Sequence, residues 1–261
     1  MEKALYLRFA GDAALLLLTI ILSFTVSYLL KCQPKGINCA DISIQKRYKP
    51  PFISEFYLNL AFGLFSFIFL MACELSTFPW KDTIEPKKIA IMKTYTIVSV
   101  FTFGMFAQSA FVTFLQIFTG EPRPHFLFVC KPNEYCALVD FNYIPKFTCT
   151  GDASLVKTAR QSFPSSVAAR SSLSMVFLSI YVHSKFSCER TPYGKCLLQA
   201  IFTTSSLLAS IQLVSDNMNH WRDIYSGIAM GTCSATYLAY SLKWFKTEKL
   251  DVSDLLVESD Q

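Results

Sequence analysis

The sequence predicts an all-α fold, a bundle of six membrane-spanning helices with a long outer loop between the third and the fourth. Three observations carry this. The 261-residue chain is 52% hydrophobic, with 24 Phe, 12 Tyr and only 16% charged residues, far from the average for soluble domains. Its apolar residues gather into six windows that meet or approach the roughly 20 residues needed to cross a bilayer as helix. No window holds a central Asp, Glu, Lys or Arg, and Arg170, about one turn into the fourth, is the nearest exception. Such an ionisable residue would mark an ion or proton path, so a transporter or channel has little support.

In order, the windows are Ala13–Leu30, Phe56–Phe78, Thr94–Phe118, Val167–Val182, Leu197–Val214 and Ile224–Leu242. Lys3 and Arg8 before the first resemble the start of a signal peptide, but the apolar run continues through Phe24–Leu30 without an A-x-A-like site. An uncleaved helix with a cytosolic N-terminus is therefore expected. Six spans return the C-terminus to the same side. The connections there carry Lys81, Lys87, Lys88 and Lys93, then Lys185, Arg190 and Lys195, and Lys243, Lys246 and Lys249 follow the last span. That is a positive-inside pattern. The bias is modest, because the opposite loop Lys31–Pro51 also holds Lys31, Lys35, Lys46, Arg47 and Lys49. One membrane domain over 1–242 and a solvated cytosolic tail over 243–261 are expected, with no internal repeat or low-complexity tract.

Cysteine placement agrees with this orientation. Cys32 and Cys39 fall in the first outer loop and Cys130, Cys136 and Cys149 in the second, where an oxidising compartment allows disulfides; five is odd, so one stays unpaired or pairs elsewhere. Cys73 and Cys233 read as core residues of spans. Cys188 and Cys196 lie near cytosolic helix ends, where palmitoylation is open. The formal charge of +5 sits at membrane edges, which points to anionic lipid head groups and not to nucleic acid.

The outer loop Thr119–Ser166 gathers Arg123, His125, Lys131, Lys157 and Arg160, a basic set that suits an anion. Arg123 lies between Pro122 and Pro124, so a stiff, non-helical backbone presents a bidentate donor at the end of the third span. Ser162-Phe163-Pro164-Ser165-Ser166 then opens the fourth. Two readings stand there. Ser165 and Ser166 cap the helix, or they join its free amides in an anion site.

Three stretches, TGEPRPHF (119–126), ARQSFPSSVAARSS (159–172) and SDNMNHWRD (215–223), each sit beside a hydrophobic window. Together they resemble the three signatures of the lipid phosphate phosphatases, the type 2 phosphatidic acid phosphatase superfamily: Lys-x6-Arg-Pro, Pro-Ser-Gly-His and Ser-Arg-x5-His-x3-Asp. The flanking PRPHFLFVCKPN, TCTGD and SDNMNHWRDIYSG look like the animal branch. The resemblance covers nearly the whole chain. It implies six spans with the motifs on the outer face, a multi-pass protein of the plasma membrane with both termini cytosolic, and phosphorylated lipids as ligands: phosphatidate, lysophosphatidate or sphingosine 1-phosphate. It also implies a phospho-histidine mechanism without metal or cofactor, in which an activated nucleophile needs an orienting partner and the developing charge needs fixed donors.

Position by position, the carry-over is incomplete. Arg123 matches, but seven residues earlier the expected lysine is Gln116. Pro164 and Ser165 match, whereas the glycine position is Ser166 and the general-acid histidine is Val167. Asp223 matches, whereas the nucleophile position is Asn219 and the Ser-Arg pair is Gln212 and Leu213. Remaining phosphate-binding candidates are Arg123, Ser165 and Ser166. Replacement nucleophiles are His220, one residue past the expected place, and His125. On a helix a one-residue shift turns a side chain by about 100°, so His220 also reads as an interfacial cap beside Trp221, able to meet Asp223 at i,i+3. His183 falls on the cytosolic side. The resulting expectation is a lipid-phosphate binder or scaffold with catalysis lost or severely weakened, similar to the plasticity-related branch and able to form homo- or hetero-oligomers with active relatives. The alternative is an active phosphatase using His220 or His125 with Asp223.

Overall fold

The computed structural model describes residues 2–30, 35–81, 83–132, 143–186 and 192–243. The chain is predominantly helical: α1 (Glu2–Leu29), α2 (Glu55–Ser76), α3 (Ile84–Thr119), the short α4 (Phe126–Cys130) and α5 (Ala153–Ala159), α6 (Ser166–Lys185), α7 (Pro192–Ser215) and α8 (Trp221–Ser241). Among the described residues four helices are long and apolar enough to cross a membrane, namely α1, α2, α3 and α7. They make this a multi-pass membrane protein. α6 and α8 have 20 and 21 residues but are less apolar.

That difference follows from packing. α6 lies at the centre and packs against α8, α7, α2 and α3. Its buried face carries Ser171, Ser172 and Ser174 beside Leu173, Phe177 and Leu178. A helix that faces protein instead of lipid gains from small residues and shared hydroxyls, and apolar bulk is not required. Ser206 of α7 meets Ser171 Oγ at 2.9 Å and Ser172 Oγ at 3.3 Å. The lipid-ward faces are apolar, as on α1, where Leu15, Leu17, Leu18 and Ile21 are all exposed.

Two features depart from the sequence reading. α3 starts at Ile84, well before the window at Thr94, and its polar first turns, where Glu85 and Lys88 pair at 3.1 Å, extend beyond the apolar window. The loops after α1 and after α4 also contain a little sheet, with Ile37–Asn38 antiparallel to Tyr143–Ile144 and the 3₁₀ turn Ile42–Ile44 in the first of these loops. This outer layer has its own core of Ile37, Ile44, Phe126, Val129, Ile144 and Ala159. The Cys130–Cys149 disulfide closes it. Cys39 is disulfide-bonded too, while Cys73, Cys196 and Cys233 are free. Cys32, Cys136, Cys188 and most of the tail 243–261 lie outside the described residues.

At the opposite end Glu74 of α2 is buried and accepts hydrogen bonds from Tyr181 Oη and Lys185 Nζ, both at 2.6 Å. A buried carboxylate needs such partners to offset its desolvation.

The α6–α8 contact depends on glycine. A Cβ on Gly231 would overlap Ala169 O and lie 2.8 Å from Leu173 N, with backbone on both sides. Gly231→Ala is therefore expected to lower stability by about 1–3 kcal/mol, read as a lower thermal midpoint in detergent. Gly63→Ala, whose nearest neighbour is Met105 Cε at 3.6 Å, is the control and should change little.

Candidate functional site

Three segments meet at the N-terminal end of α6: residues 119–126 at the end of α3, residues 160–166 leading into α6, and the α7–α8 turn. Backbone bonds weld them. Arg123 N–H donates to Ala159 O at 2.8 Å, Ser162 N–H to Glu121 O at 3.1 Å and Ser165 N–H to Asp223 O at 3.1 Å. α3 stops at Gly120, whose left-handed φ of 56° lets the chain turn directly into Glu121-Pro122-Arg123. The turn after α7 uses Asn217 at φ 55°, a position asparagine tolerates better than most residues.

Asp223, fully buried in the first turn of α8, is the centre of the polar network. Its Oδ2 accepts from Ser162 Oγ at 2.6 Å and from His220 N–H at 2.9 Å. His220 Nδ1 is 3.3 Å from the same oxygen. A carboxylate oxygen only accepts, so Nδ1 is the donor in this contact. Nε2 has no hydrogen-bond partner among the described residues. Arg222 Nε lies 3.7 Å from Oδ1, close enough for ionic attraction and too far for a hydrogen bond. His220 reaches Asp223 because it is the N-cap, with extended φ −82° and ψ 160°, so the helical rotation does not apply to it. It faces a cleft of about 620 Å³ that Lys46, Asn219 and Arg222 also line.

Arg123 is 2% exposed, and its guanidinium forms a bidentate ion pair with Glu55, the first residue of α2. Its Nε and Nη2 also reach Gln161 O at a long 3.4 Å. Ser166 Oγ points at Glu55 Oε2 at 3.4 Å. Ser165 caps α6 by accepting from Ala168 N–H at 3.4 Å. Sequence reasoning did not single out Glu55; an acidic residue at a helix start is the only local signal.

The remaining signature positions are held by partners within the fold. Gln116 Nε2 donates to Pro164 O and Asn219 Nδ2 to Ser162 O, both at 2.8 Å. Val167 and Leu213 are 0% and 2% exposed in one apolar cluster with Met218 and Ile224. Gln212 is half-buried, and its carbonyl accepts from Asp216 N–H at 2.9 Å. His125 lies apart from the Asp223 network: its Nδ1 donates to Asn217 O at 2.8 Å and its ring packs on Tyr48 at 5.0 Å. His183 sits in the last turn of α6, at the other end of the helix. Among the described residues no cluster of His, Cys, Asp and Glu could hold a metal ion.

The family model of the PAP2 superfamily matches residues 97–247, which contain all three segments. The chain belongs to the PAP2 superfamily. It is 36% identical over 152 residues to phospholipid phosphatase-related protein type 5 of Xenopus laevis, covering 57% of this chain and 48% of that one. It is 30% identical over 228 residues to phospholipid phosphatase-related protein type 1 of Danio rerio, covering 78% of this chain and 68% of that one. The chain thus spans about half the length of the type 5 relatives it matches. No solved structure matches it.

Within this PAP2 member, His125 makes stability depend on pH. Burial holds its imidazole below the usual value and the nearby Arg123 charge adds to that, outweighing the pull of the Asn217 carbonyl. The folded state thus binds fewer protons than the unfolded chain between the lowered value and the ordinary one near 6.5. The stabilisation is complete above about pH 6.5 and is lost as pH falls through that window. His125→Gln should cost roughly 1–3 kcal/mol at pH 7 yet show a flatter decline in thermal midpoint from pH 7 to pH 5 than the wild type. Parallel declines would exclude His125 as the source.

Proposed function

We propose that this PAP2-superfamily protein engages lipid phosphates of the phosphatidate, lysophosphatidate or sphingosine 1-phosphate type at its outer face without appreciable hydrolysis. It would act as a binder or scaffold, alone or assembled with active relatives. In the proposed arrangement α6 and α8 are the remaining two of six spans, and both termini are cytosolic at the plasma membrane. The observation that carries the reading is the burial of Val167 and Leu213 in one apolar cluster. A proton donor and a cation would need these places, and both have become core. Asn219 supports it further, since its amide nitrogen is committed to Ser162 O and has no basic lone pair to attack phosphorus. One lost electrostatic donor alone typically costs about 2.7–4 kcal/mol of barrier. The losses here fall on several positions at once.

A second reading has one specific observation in its favour. His220 is oriented by Asp223, as a nucleophile requires, and its Nε2, although buried, has no hydrogen-bond partner among the described residues. Ser162 in turn holds Asp223 in place. That is a base–orienter pair on a cleft, and it would make the protein an active phosphatase with a rearranged histidine.

Phosphate release from phosphatidate and lysophosphatidate in detergent–lipid micelles, without added metal, separates the two. The expected outcome is release no faster than from a His220→Ala, His125→Ala double variant, together with retention of phosphatidate over phosphatidylcholine by the folded protein. Turnover that disappears in the double variant would establish the second reading instead.

A further inference from the structure

Beneath the outer face lies a charge cluster whose signs do not balance. Arg123 is buried, and Arg170, one α6 turn below Ser166, has a buried Nε with no hydrogen-bond partner among the described residues. Glu55 is the carboxylate within electrostatic reach of both guanidinium groups. The formal sum of these three side chains is one surplus positive charge, held where desolvation is costly.

The donors are also laid out for something larger than a carboxylate. Arg123 supplies a forked pair through Nη1 and Nη2, Ser166 a hydroxyl at 3.4 Å and Arg170 an unused N–H, all beside the N-terminus of α6. Serine and arginine at i and i+4 share one helix face. A carboxylate has two oxygens and one charge. A phosphate monoester has three terminal oxygens and up to two charges, so it could meet the fork, the hydroxyl and the Arg170 N–H together. Glu55 itself stands in the first turn of α2, where an acid favours the helix dipole. That accounts for an acid at the position. It does not account for the fork or for the unpaired second guanidinium. The Glu55 side chain is also 20% exposed against 3% for Arg123, so it sits on the outer, displaceable side of the pair.

We propose that Glu55 is an internal anion seated in a phosphate cradle made by Arg123, Arg170 and Ser166, and that it closes this cradle to phosphate groups until it is displaced. The proposal rests on the preceding reading only in naming a phosphate as the competing anion. The cradle is self-occupied and autoinhibited, and Glu55 sets the affinity at which a lipid phosphate can enter.

The test is Glu55→Gln, which keeps the shape and removes the charge. Two probes separate the sources of phosphate: inorganic phosphate, read as a thermal shift in detergent against equal chloride, and phosphatidate in mixed micelles, read as retention by the purified protein. Glu55→Gln should bind one or both at least about tenfold more tightly than the wild type, the size expected when a charge-assisted pair is opened to a competing anion. Adding Arg123→Gln should abolish the gain. A gain with inorganic phosphate points to the head group alone, and a gain confined to phosphatidate adds the lipid as a requirement. No gain with either probe in folded Glu55→Gln, or a gain that survives Arg123→Gln, would overturn the proposal. If the single variant cannot be recovered in chloride, recovery in phosphate buffer supports the cradle, and failure in both overturns it. Phosphate release measured on the same wild-type samples reports on the binder reading separately: turnover there would sink that reading without touching a gain in Glu55→Gln.

Discussion

Asp223 has no exposed surface, and an ionised carboxylate in such a place costs several kcal/mol unless its lone pairs are met. Only Oδ2 is met, Oδ1 having no hydrogen-bond partner among the described residues, and how Oδ2 is held shapes this end of the molecule. Ser162 and His220 both turn to Oδ2, and the Asp223 carbonyl takes the N–H of Ser165. One residue at the start of α8 thereby fixes the segment that leads into α6. Gly227 and Gly231 let the two helices continue in contact below, where a Cβ at either would meet backbone. The α6–α8 pair is consequently closely packed, with α2, α3 and α7 against α6 and α1 against α3.

The same segment is held from two further sides by amides. Gln116 on α3 and Asn219 in the α7–α8 turn each donate to a carbonyl between Ser162 and Pro164. These are the positions at which the superfamily signatures place a lysine and a histidine. An amide side chain is neutral across the physiological range, so it can be buried against a carbonyl at little cost. A lysine would have to keep its charge near a ligand or solvent. On the proposed reading, the substitutions exchange groups that would serve an incoming phosphate for groups that serve the backbone.

Much of this was legible in the sequence. Apolar windows located the long helices, four of which are long and apolar enough to cross a membrane, proline-flanked Arg123 and the Ser-Phe-Pro-Ser run located the start of α6, and the family followed from three short stretches. Val167 and Leu213 could be read as apolar from their identity alone. What escaped depends on contacts between distant parts of the chain. Glu55 and Arg123 are 68 residues apart, and nothing local marks Glu55 as more than an acid in a first turn. Cysteine counting left the pairing open, and only the outer layer brings Cys130 to Cys149. His220 could be read as a cap able to meet Asp223, and it is the N-cap; what a helical rotation of about 100° leaves out is that a cap has extended backbone and can aim its ring at the third residue of the helix. Glu74 lay inside an apolar window and escaped notice, since its partners Tyr181 and Lys185 come from α6.

The Glu55–Arg123 pair and the two amide clamps have a common physical logic on the proposed reading. A phosphatase that turns over must keep its cations unpaired between cycles, so that the phosphate is the group that neutralises them. That open state is electrostatically costly where solvent is scarce, because each unpaired buried charge destabilises the fold. Once proton donor and nucleophile are absent, nothing is gained by leaving the cradle open. A carboxylate from a neighbouring helix can then settle on the guanidinium and recover the lost stability. Breaking one partner out of such a pair is far more costly than replacing both. This asymmetry predicts that Arg123→Gln alone leaves Glu55 buried with Arg170 as its nearest cation, and destabilises the protein more than the Glu55→Gln, Arg123→Gln double variant. A thermal-midpoint cycle across the four proteins would show it as a coupling that favours the pair. Equal and additive losses would mean that the two side chains meet without depending on each other.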